Sequence, residues 1–243
     1  MTTNKNKTSS IYDYISEKDL KNEVYKVASK LKEIKNNFNK KKDKELWKNN
    51  LDVFSAIFLL KDKDIKFKDW ISSEEIRQIE KSFQNYIGLF HQGIAGKIKG
   101  CERLVKPLDF KCDEKKLVAE IKNKENTVNK NSAKGAYDDL RNFIKKKKNK
   151  GYTAYIVMII PKTPGNSFDR EFQPKGKPLN KKIRKITGNK FYELLTDEKN
   201  FLRMLYDEVA LLLHNKIEND EYLSFIKQKE FDSFFKKSFI GNE

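Results

Sequence analysis

Apolar residues in the N-terminal part of the chain recur at helical spacing. Between Ile11 and Phe38 they fall three or four residues apart, which places them on one face of a helix. The mostly apolar run from Leu51 to Leu60 follows a charged connector and predicts a second helix, buried on most of its surface. Both segments are therefore predicted to be packing helices.

A third helix is predicted to begin at a serine cap. Ser72 or Ser73 precedes Glu74 and Glu75, and serine caps with acidic first turns favour helix starts. Apolar positions continue from there toward Gly88. We predict a disordered N-terminus over residues 1–10, a helical region over 11–72 and the main domain over 73–243.

The apolar spacing changes to alternation in the middle of the chain. Leu117, Ala119 and Ile121 alternate with Val118, Glu120 and Lys122, which is typical of a strand. A polar run over 112–116 precedes this strand, and a short apolar stretch around Leu108 and Phe110 precedes the run. The pattern predicts a β-hairpin over residues 104–124.

A crossover and a buried strand are predicted after the hairpin. Ser132 is a suitable N-cap for a helix over 133–147, and the apolar segment from Tyr152 to Ile160 predicts a central strand. Proline, glycine and charge then predict a long loop over 161–189. Two closing helices are expected over 191–216 and 219–239, the second capped by Asn219. The fold class is α/β, with a mixed sheet flanked by helices.

The predicted hairpin brings candidate metal ligands together. Glu120 and Lys122 share a strand face, and Asp109 lies on the facing strand. Carboxylate oxygens suit Mg²⁺, which retains several waters and takes further oxygen ligands from substrate phosphate. Asp109, Glu120 and Lys122 are therefore candidate catalytic residues for phosphodiester hydrolysis.

Three segments around these residues carry a family resemblance. Asp109 with Glu120 and Lys122 on a hairpin, followed by a helix and a buried strand, resembles the PD-(D/E)xK nuclease superfamily, although Leu108 separates Pro107 from Asp109. Together the segments 90–96, 120–129 and 186–196 resemble type II restriction endonucleases that cut GGNCC or GGWCC palindromes. The resemblance spans roughly residues 85–215.

The resemblance implies a fold, a reaction and further site residues. It implies a PD-(D/E)xK core, Mg²⁺ bound by Asp109, Glu120 and the backbone carbonyl of Ile121, and ends with 5′-phosphates. It also implies that the helical residue Gln92 belongs to the catalytic group, whereas His91 is interpreted as structural. A cognate DNA methyltransferase is expected in the same system, without a stable complex.

The charge of the chain favours a polyanionic partner. The formal net charge is +17, from 52 Lys and Arg against 35 Asp and Glu. A lysine-rich codon usage explains this excess equally well, but arginine is scarce, with six in the chain. Arg170 and Arg184 lie in the predicted loop, and guanidinium groups bind guanine edges in bidentate fashion. The candidate DNA-binding residues are Asn123, Lys124, Asn126, Thr127, Arg170, Arg184 and Lys185.

These observations favour a type II restriction endonuclease acting on double-stranded DNA. A two-fold symmetric site is read most simply by a homodimer, and the N-terminal helices would serve dimerisation or hold the DNA backbone. No run is long enough to span a membrane and no signal peptide is evident, so a prokaryotic cytoplasmic enzyme is expected. Two alternatives remain, a repair or recombination nuclease of relaxed specificity and a non-catalytic, lysine-rich nucleic-acid-binding protein.

Overall fold

The computed structural model describes residues 9–40, 46–47, 51–163, 165–214 and 229–239. The chain divides into two compact units, one comprising Met1–Val24 with Phe90–Glu243 and the other comprising Tyr25–Leu89. The sequence-based division into domains stays a prediction. Within the described part of the chain, none of the helices combines the length and apolarity needed to cross a membrane.

Three long helices account for most of the described residues before the sheet. They are α1 (Glu17–Lys40), α2 (Val53–Lys63) and α3 (Phe67–Ala95). Asp52 caps α2, because its side chain accepts hydrogen bonds from the amides of Phe54 and Ser55. The predicted helices over the N-terminal region are thus present, although their boundaries differ from those expected.

The predicted start of α3 at Ser72 or Ser73 is wrong. Both serines lie inside the helix, where their hydroxyls donate to the carbonyls of Lys68 and Trp70 one turn earlier. Serine bonds to helix carbonyls in this way when it is not a cap. Gly88, expected near the end, is also internal to the helix.

The predicted burial of the apolar segment from Leu51 to Leu60 is also wrong. In α2, Phe54 is 72% exposed and Phe58 is 76% exposed, whereas Ala56 is buried. Apolar composition predicts that a helix can pack, but burial depends on a partner element that lies outside the segment.

The sheet has six strands, which are β1 (Cys101–Arg103), β2 (Phe110–Cys112), β3 (Leu117–Lys124), β4 (Thr153–Ile160), β5 (Asp169–Glu171) and β6 (Ile183–Thr187). Their order in the sheet is β1–β2–β3–β4–β6–β5. Strand β2 pairs antiparallel with β1 and β3, β4 pairs parallel with β3 and β6, and β5 pairs antiparallel with β6.

The hairpin and the central strand are confirmed, but Asp109 directly precedes β2 and does not lie on the strand as predicted. Phe110 pairs with Ala119 across β2 and β3, and Glu120 pairs with Ile156 across β3 and β4. Six of the eight residues of β4 are buried, as expected for a strand covered on both faces. The helix α4 (Lys130–Lys145) provides the crossover that a parallel β3–β4 pair requires.

The predicted long loop over 161–189 contains two strands that were missed. β6 adds to the sheet beside β4, and β5 turns back along β6. All three residues of β5 are charged, and in β6 two adjacent charged residues interrupt the apolar pattern, so neither strand shows the alternation of a strand. Their place in the sheet comes from the pairing of β6 with the apolar strand β4 and of β5 with β6.

Helices cover the sheet on its two faces. Val118, Ile156 and Met158 belong to a core cluster with Tyr137 and Leu140 of α4. On β2, Phe110 packs edge-to-face against Phe191 of α5 (Gly188–Thr196). The expected α/β class is therefore observed, with a mixed sheet between helices.

The ends of the flanking helices differ from the predictions. The cap of α4 is Asn129, whose side chain accepts from the amide of Ser132, so the predicted cap at Ser132 is wrong. The predicted helix over 191–216 is two helices, α5 and α6 (Phe201–His214). Asn219 lies outside the described residues, which resume with α7 (Lys229–Phe239).

Candidate active site

Asp109 lies immediately before β2 and is held through both its backbone and its side chain. Its amide donates to the carbonyl of Ala119 at 3.1 Å, and its own carbonyl accepts from the amide of Leu104 at 2.9 Å. Its Oδ2 accepts from the amide of Ile121 at 2.7 Å. The hairpin therefore fixes the carboxylate of Asp109 against the residue that follows Glu120.

Glu120 and Lys122 lie on the same face of β3. Lys122 Nζ donates to Glu120 Oε1 at 2.7 Å. Both side chains are mostly buried, with 33% of the lysine and 15% of the glutamate exposed. Residues two apart point to the same side of a strand, so the buried Val118 shares this side of β3 with Glu120 and Lys122. The charged pair therefore lies on the side of β3 that also carries part of the core.

The two carboxyl groups hold protons more tightly than ordinary carboxyl groups. Burial and the nearby charge of Asp109 together raise the pKa of Glu120 to about 7, against the opposing effect of Lys122. Burial also raises the pKa of Asp109, against the opposing effect of the Ile121 amide. Two close carboxylates in a desolvated site repel each other, and a bound cation relieves that repulsion.

Glu120 has an oxygen that suits a metal ion. Within the described residues, Glu120 Oε2 is buried and accepts no hydrogen bond. A buried carboxylate oxygen without a donor is unfavourable unless a cation occupies the space beside it. With Asp109 and the carbonyl of Ile121 on the same strand pair, the donor set is all oxygen and fits a hard divalent cation.

Gln92 and His91 lie near the end of α3 and have different surroundings. Gln92 Oε1 accepts from Nη2 of Arg103 at 3.3 Å. His91 is buried, its Nδ1 lies 3.1 Å from the hydroxyl of Tyr192, and burial lowers its pKa to about 4. His91 is therefore neutral and packed, whereas Gln92 contacts a cation that the sequence did not single out.

The first four candidate DNA-binding residues follow Lys122 in order. Asn123 and Lys124 end β3, and Asn126 and Thr127 lie in the 3₁₀ turn Glu125–Thr127. The hydroxyl of Thr127 donates to the carbonyl of Lys124 at 2.7 Å. Asn123 Oδ1 is buried and has no hydrogen-bond donor among the described residues.

The other three candidates lie on β5 and β6. Arg184 donates from Nε to Asp169 Oδ1 at 2.6 Å and from Nη2 to the carbonyl of Asp169 at 3.0 Å. Lys185 forms an ion pair with Glu125. Arg170 is exposed and lies over the ring of Phe168, 4.6 Å from its centroid. Two of the three cations are thus already paired with carboxylates.

Sequence comparison identifies the family. A profile described as the Eco47II restriction endonuclease matches residues 12–218. The chain belongs to this family. The match includes the N-terminal helices as well as the sheet, so the family extends well beyond the segments that carry the resemblance.

Two relatives of the Eco47II restriction endonuclease family are similar over most of their length. The type II restriction enzyme Eco47II of Escherichia coli is 35% identical over 210 residues, covering 81% of this chain and 84% of that enzyme. The type II restriction enzyme Sau96I of Staphylococcus aureus is 28% identical over 184 residues, covering 72% of this chain and 70% of that enzyme. The chain is accordingly a type II restriction endonuclease, a site-specific deoxyribonuclease.

Membership of the Eco47II family agrees with the arrangement around Asp109 and Glu120. Type II restriction endonucleases act on DNA and generally use a divalent metal ion. The hairpin brings two carboxylates, a lysine and a backbone carbonyl together at one place in the sheet. Groups of these kinds are the ones that phosphodiester hydrolysis uses.

Proposed function

We propose that the chain makes Mg²⁺-dependent double-strand cuts at a short GGNCC-like palindrome and leaves 5′-phosphate ends. The observation that carries the proposal is the position of Asp109 beside Glu120, with Glu120 Oε2 buried and without a hydrogen-bond donor among the described residues. Asp109, Glu120 and the carbonyl of Ile121 would hold the Mg²⁺. When bound, Mg²⁺ supplies Lewis-acid stabilisation of charge on the phosphate.

Lys122 has the role of orienting the attacking water. Its bond to Glu120 Oε1 holds the ammonium beside the metal ligands. From there the ammonium donates to the water and stabilises the negative charge that develops on the phosphate. Glu120 thus has two tasks, because one oxygen positions the lysine and the other faces the metal position.

Base readout is assigned to two regions that flank the catalytic strand. The first region follows Lys122 and contains Asn123, Lys124, Asn126 and Thr127. The second region contains Arg170 on β5 and Arg184 and Lys185 on β6. Arg170 is exposed on an aromatic ring, which leaves its planar fork available to a guanine edge. The GGNCC-like site is supported by the resemblance of the segments 90–96, 120–129 and 186–196.

A homodimer supplies one active site for each strand of the palindrome. The unit Tyr25–Leu89 has exposed apolar residues suited to a protein interface, among them Val53, Phe54, Ile57 and Phe58 of α2. They fall at three- and four-residue spacing on one helix face. At about 200 Å² for a whole aromatic side chain, Phe54 and Phe58 alone leave roughly 300 Å² uncovered. We assign this face to a second copy, because a two-strand cut needs two active sites.

The cellular setting follows from the same proposal. The enzyme acts on DNA in the prokaryotic cytoplasm, and a cognate methyltransferase protects the same site without forming a stable complex. The methyltransferase and the endonuclease then compete for the same DNA site and do not bind each other.

The test is to sequence the ends made on a plasmid of known sequence in the presence of Mg²⁺. We expect discrete fragments, one short palindrome at every end and 5′-phosphates that accept ligation directly. A smear without a common sequence would contradict site specificity. Unchanged cutting by a Glu120→Gln variant would contradict the assigned site.

A further inference from the structure

Arg103 is a cation beside the proposed active site. It ends β1, directly before Leu104, whose amide donates to the carbonyl of Asp109. Arg103 also pairs with Phe110 of β2, the residue directly after Asp109. Arg103 therefore lies at the edge of the carboxylate pair, on a different strand from Lys122.

The approach of β1 to the end of α3 places Arg103 there. A Cβ on Gly96 would lie 2.6 Å from the backbone nitrogen of Arg103 and 2.8 Å from its Cβ. Backbone atoms cannot give way at such distances, so a side chain at Gly96 would displace β1. The glycine permits the contact in which Gln92 Oε1 accepts from Arg103 Nη2.

Arg103 differs from other arginines of the chain in its pairing. Arg77, Arg184 and Arg203 each donate to carboxylates. In the part of the chain that the structure describes, Arg103 donates to the neutral amide of Gln92 alone. Its exposed guanidinium thus retains its full charge and most of its donors for an anion from solution.

The lysine of the site is less available to a phosphate. Lys122 Nζ is bound to Glu120 Oε1, and the proposed function assigns it to the attacking water. A phosphodiester at this site has two non-bridging oxygens whose charge increases during hydrolysis. The guanidinium of Arg103 has the charge and the planar set of donors that bind one of them.

We propose that Arg103 is a catalytic residue that binds a non-bridging oxygen of the scissile phosphate, and that Gln92 is the residue that positions its guanidinium. The inference rests on the proposed hydrolysis at Asp109 and Glu120. Water forms the new P–O bond and releases a proton to solvent, the P–O3′ bond breaks, and the departing 3′-oxygen takes a proton from solvent. Arg103 keeps its protons throughout, and the phosphate oxygen that it binds stays on phosphorus. Gln92 therefore acts through Arg103 and does not contact the reacting phosphate itself.

The test compares Arg103→Ala, Arg103→Lys and Gln92→Ala in single-turnover cleavage of a cognate duplex at saturating protein with Mg²⁺. We expect Arg103→Ala to slow cleavage by about 100-fold, the usual effect of losing one donor to a developing charge. Arg103→Lys should recover part of the rate, because it keeps the charge and loses the fork. Binding of the same duplex in Ca²⁺ should weaken much less than cleavage slows.

The Gln92 variant tests how the pair works. Gln92→Ala should slow cleavage by about tenfold in the native background and have almost no further effect in Arg103→Ala, as expected of two residues acting through one contact. Equal effects in the two backgrounds would mean that Gln92 does not act through Arg103. The matched control is Glu102→Ala, the preceding residue on β1, whose carboxylate pairs with Lys111, and its cleavage rate should stay within about threefold of the native rate.

Two outcomes would overturn the assignment of Arg103. One is single-turnover cleavage by Arg103→Ala within about threefold of the native rate. The other is that Arg103→Ala loses affinity for cognate and random DNA equally and cleaves at the native rate when DNA is saturated with protein. Arg103 would then contact phosphates other than the one that is cleaved. Loss of activity in Glu120→Gln alongside either result would leave the proposed function standing, whereas an active Glu120→Gln would contradict both.

Discussion

Lys122 Nζ is 2.7 Å from Oε1 of Glu120, while Oε2 of the same carboxylate is buried and has no hydrogen-bond donor among the described residues. One carboxylate thus holds the lysine of the site and presents a free oxygen beside Asp109. The relationship arises from their two-residue spacing on β3, which puts both side chains on one face. It connects the position of the lysine to the position of the metal ligands.

Glu120→Gln should abolish cleavage and leave DNA binding largely intact. The amide keeps the shape of the side chain but removes the charge that binds the metal and holds Lys122. We expect a rate loss well above about tenfold, which corresponds to ~1.4 kcal/mol. Cleavage assays in Mg²⁺ and binding titrations on the cognate duplex measure the two properties. A variant that cuts within tenfold of the native rate would contradict the role of Glu120.

Ca²⁺ should support specific binding but little cleavage. Its larger and looser coordination shell relieves the repulsion between Asp109 and Glu120, yet it positions water less strictly than Mg²⁺. Thermal unfolding should show stabilisation of the native protein by either ion and a much smaller effect on Glu120→Gln. Efficient cutting in Ca²⁺ alone, or in excess chelator, would count against the metal assignment.

The free energy of unfolding of the metal-free protein should fall as pH rises from about 4.5 to 7, because Glu120 ionises in this range. The folded-state pKa of Glu120 is raised to about 7, so the folded state binds this proton more tightly than the unfolded state across that window. Below this window Glu120 is protonated in both states, and above it the buried charge lowers the free energy of unfolding by roughly 3 kcal/mol. Glu120→Gln removes this titration.

Urea unfolding in chelator at pH 5 and at pH 8 measures this effect. The stability of Glu120→Gln relative to the native protein should be higher at pH 8 than at pH 5. Added divalent metal at pH 8 should reduce the difference in stability between the two proteins, because the cation neutralises the negative charge of the carboxylates. A difference that does not change with pH would mean that Glu120 titrates normally in the folded protein.

Arg170→Ala should weaken cognate binding much more than random binding. An arginine fork at a guanine edge contributes roughly 1–3 kcal/mol of discrimination. Lys146, an exposed lysine at the C-terminal end of α4, provides the comparison. If it contacts only phosphate, Lys146→Ala should weaken binding of both duplexes about equally and lower the salt slope by roughly one. Binding titrations against salt on cognate and scrambled duplexes separate these effects. Equal losses of affinity for the two duplexes in Arg170→Ala would show that Arg170 contacts the DNA backbone.

Arg184→Ala should act on the β5–β6 pair as well as on DNA. Arg184 on β6 donates to the side chain and the carbonyl of Asp169 on β5. We expect Asp169→Ala to reproduce the stability loss of Arg184→Ala, and chemical denaturation compares the two. A loss of cognate binding in Arg184→Ala that Asp169→Ala does not share would point to a direct contact with DNA.

Phe58→Glu should shift the enzyme toward monomers. The side chain is 76% exposed on α2, and a charge in a buried apolar interface is unfavourable unless it is paired. Sedimentation equilibrium gives the mass, and plasmid assays should show slower double-strand cutting. Asp62→Ala on the same helix is the matched control and should remain dimeric. A native protein that sediments as a monomer would contradict the dimer proposal.

The local spacing of residues determined the core of the site. Alternation from Leu117 to Lys122 placed Glu120 and Lys122 on one face, and the polar run before them predicted the turn that returns Asp109 to their side. These relationships span few residues and follow from strand geometry, so the sequence alone was sufficient. The central strand β4 was predictable for the same reason, because its apolar run is continuous.

Tertiary structure decided the features that depend on partners distant in the chain. Strand β6 forms through pairing with β4 and strand β5 through pairing with β6, and the exposure of α2 reflects which elements pack around it. Arg103 reaches Gln92 because Gly96 admits β1 against the end of α3, a contact that spacing along the chain does not encode. Side-chain periodicity determines which residues share a face, whereas only long-range packing determines what that face meets.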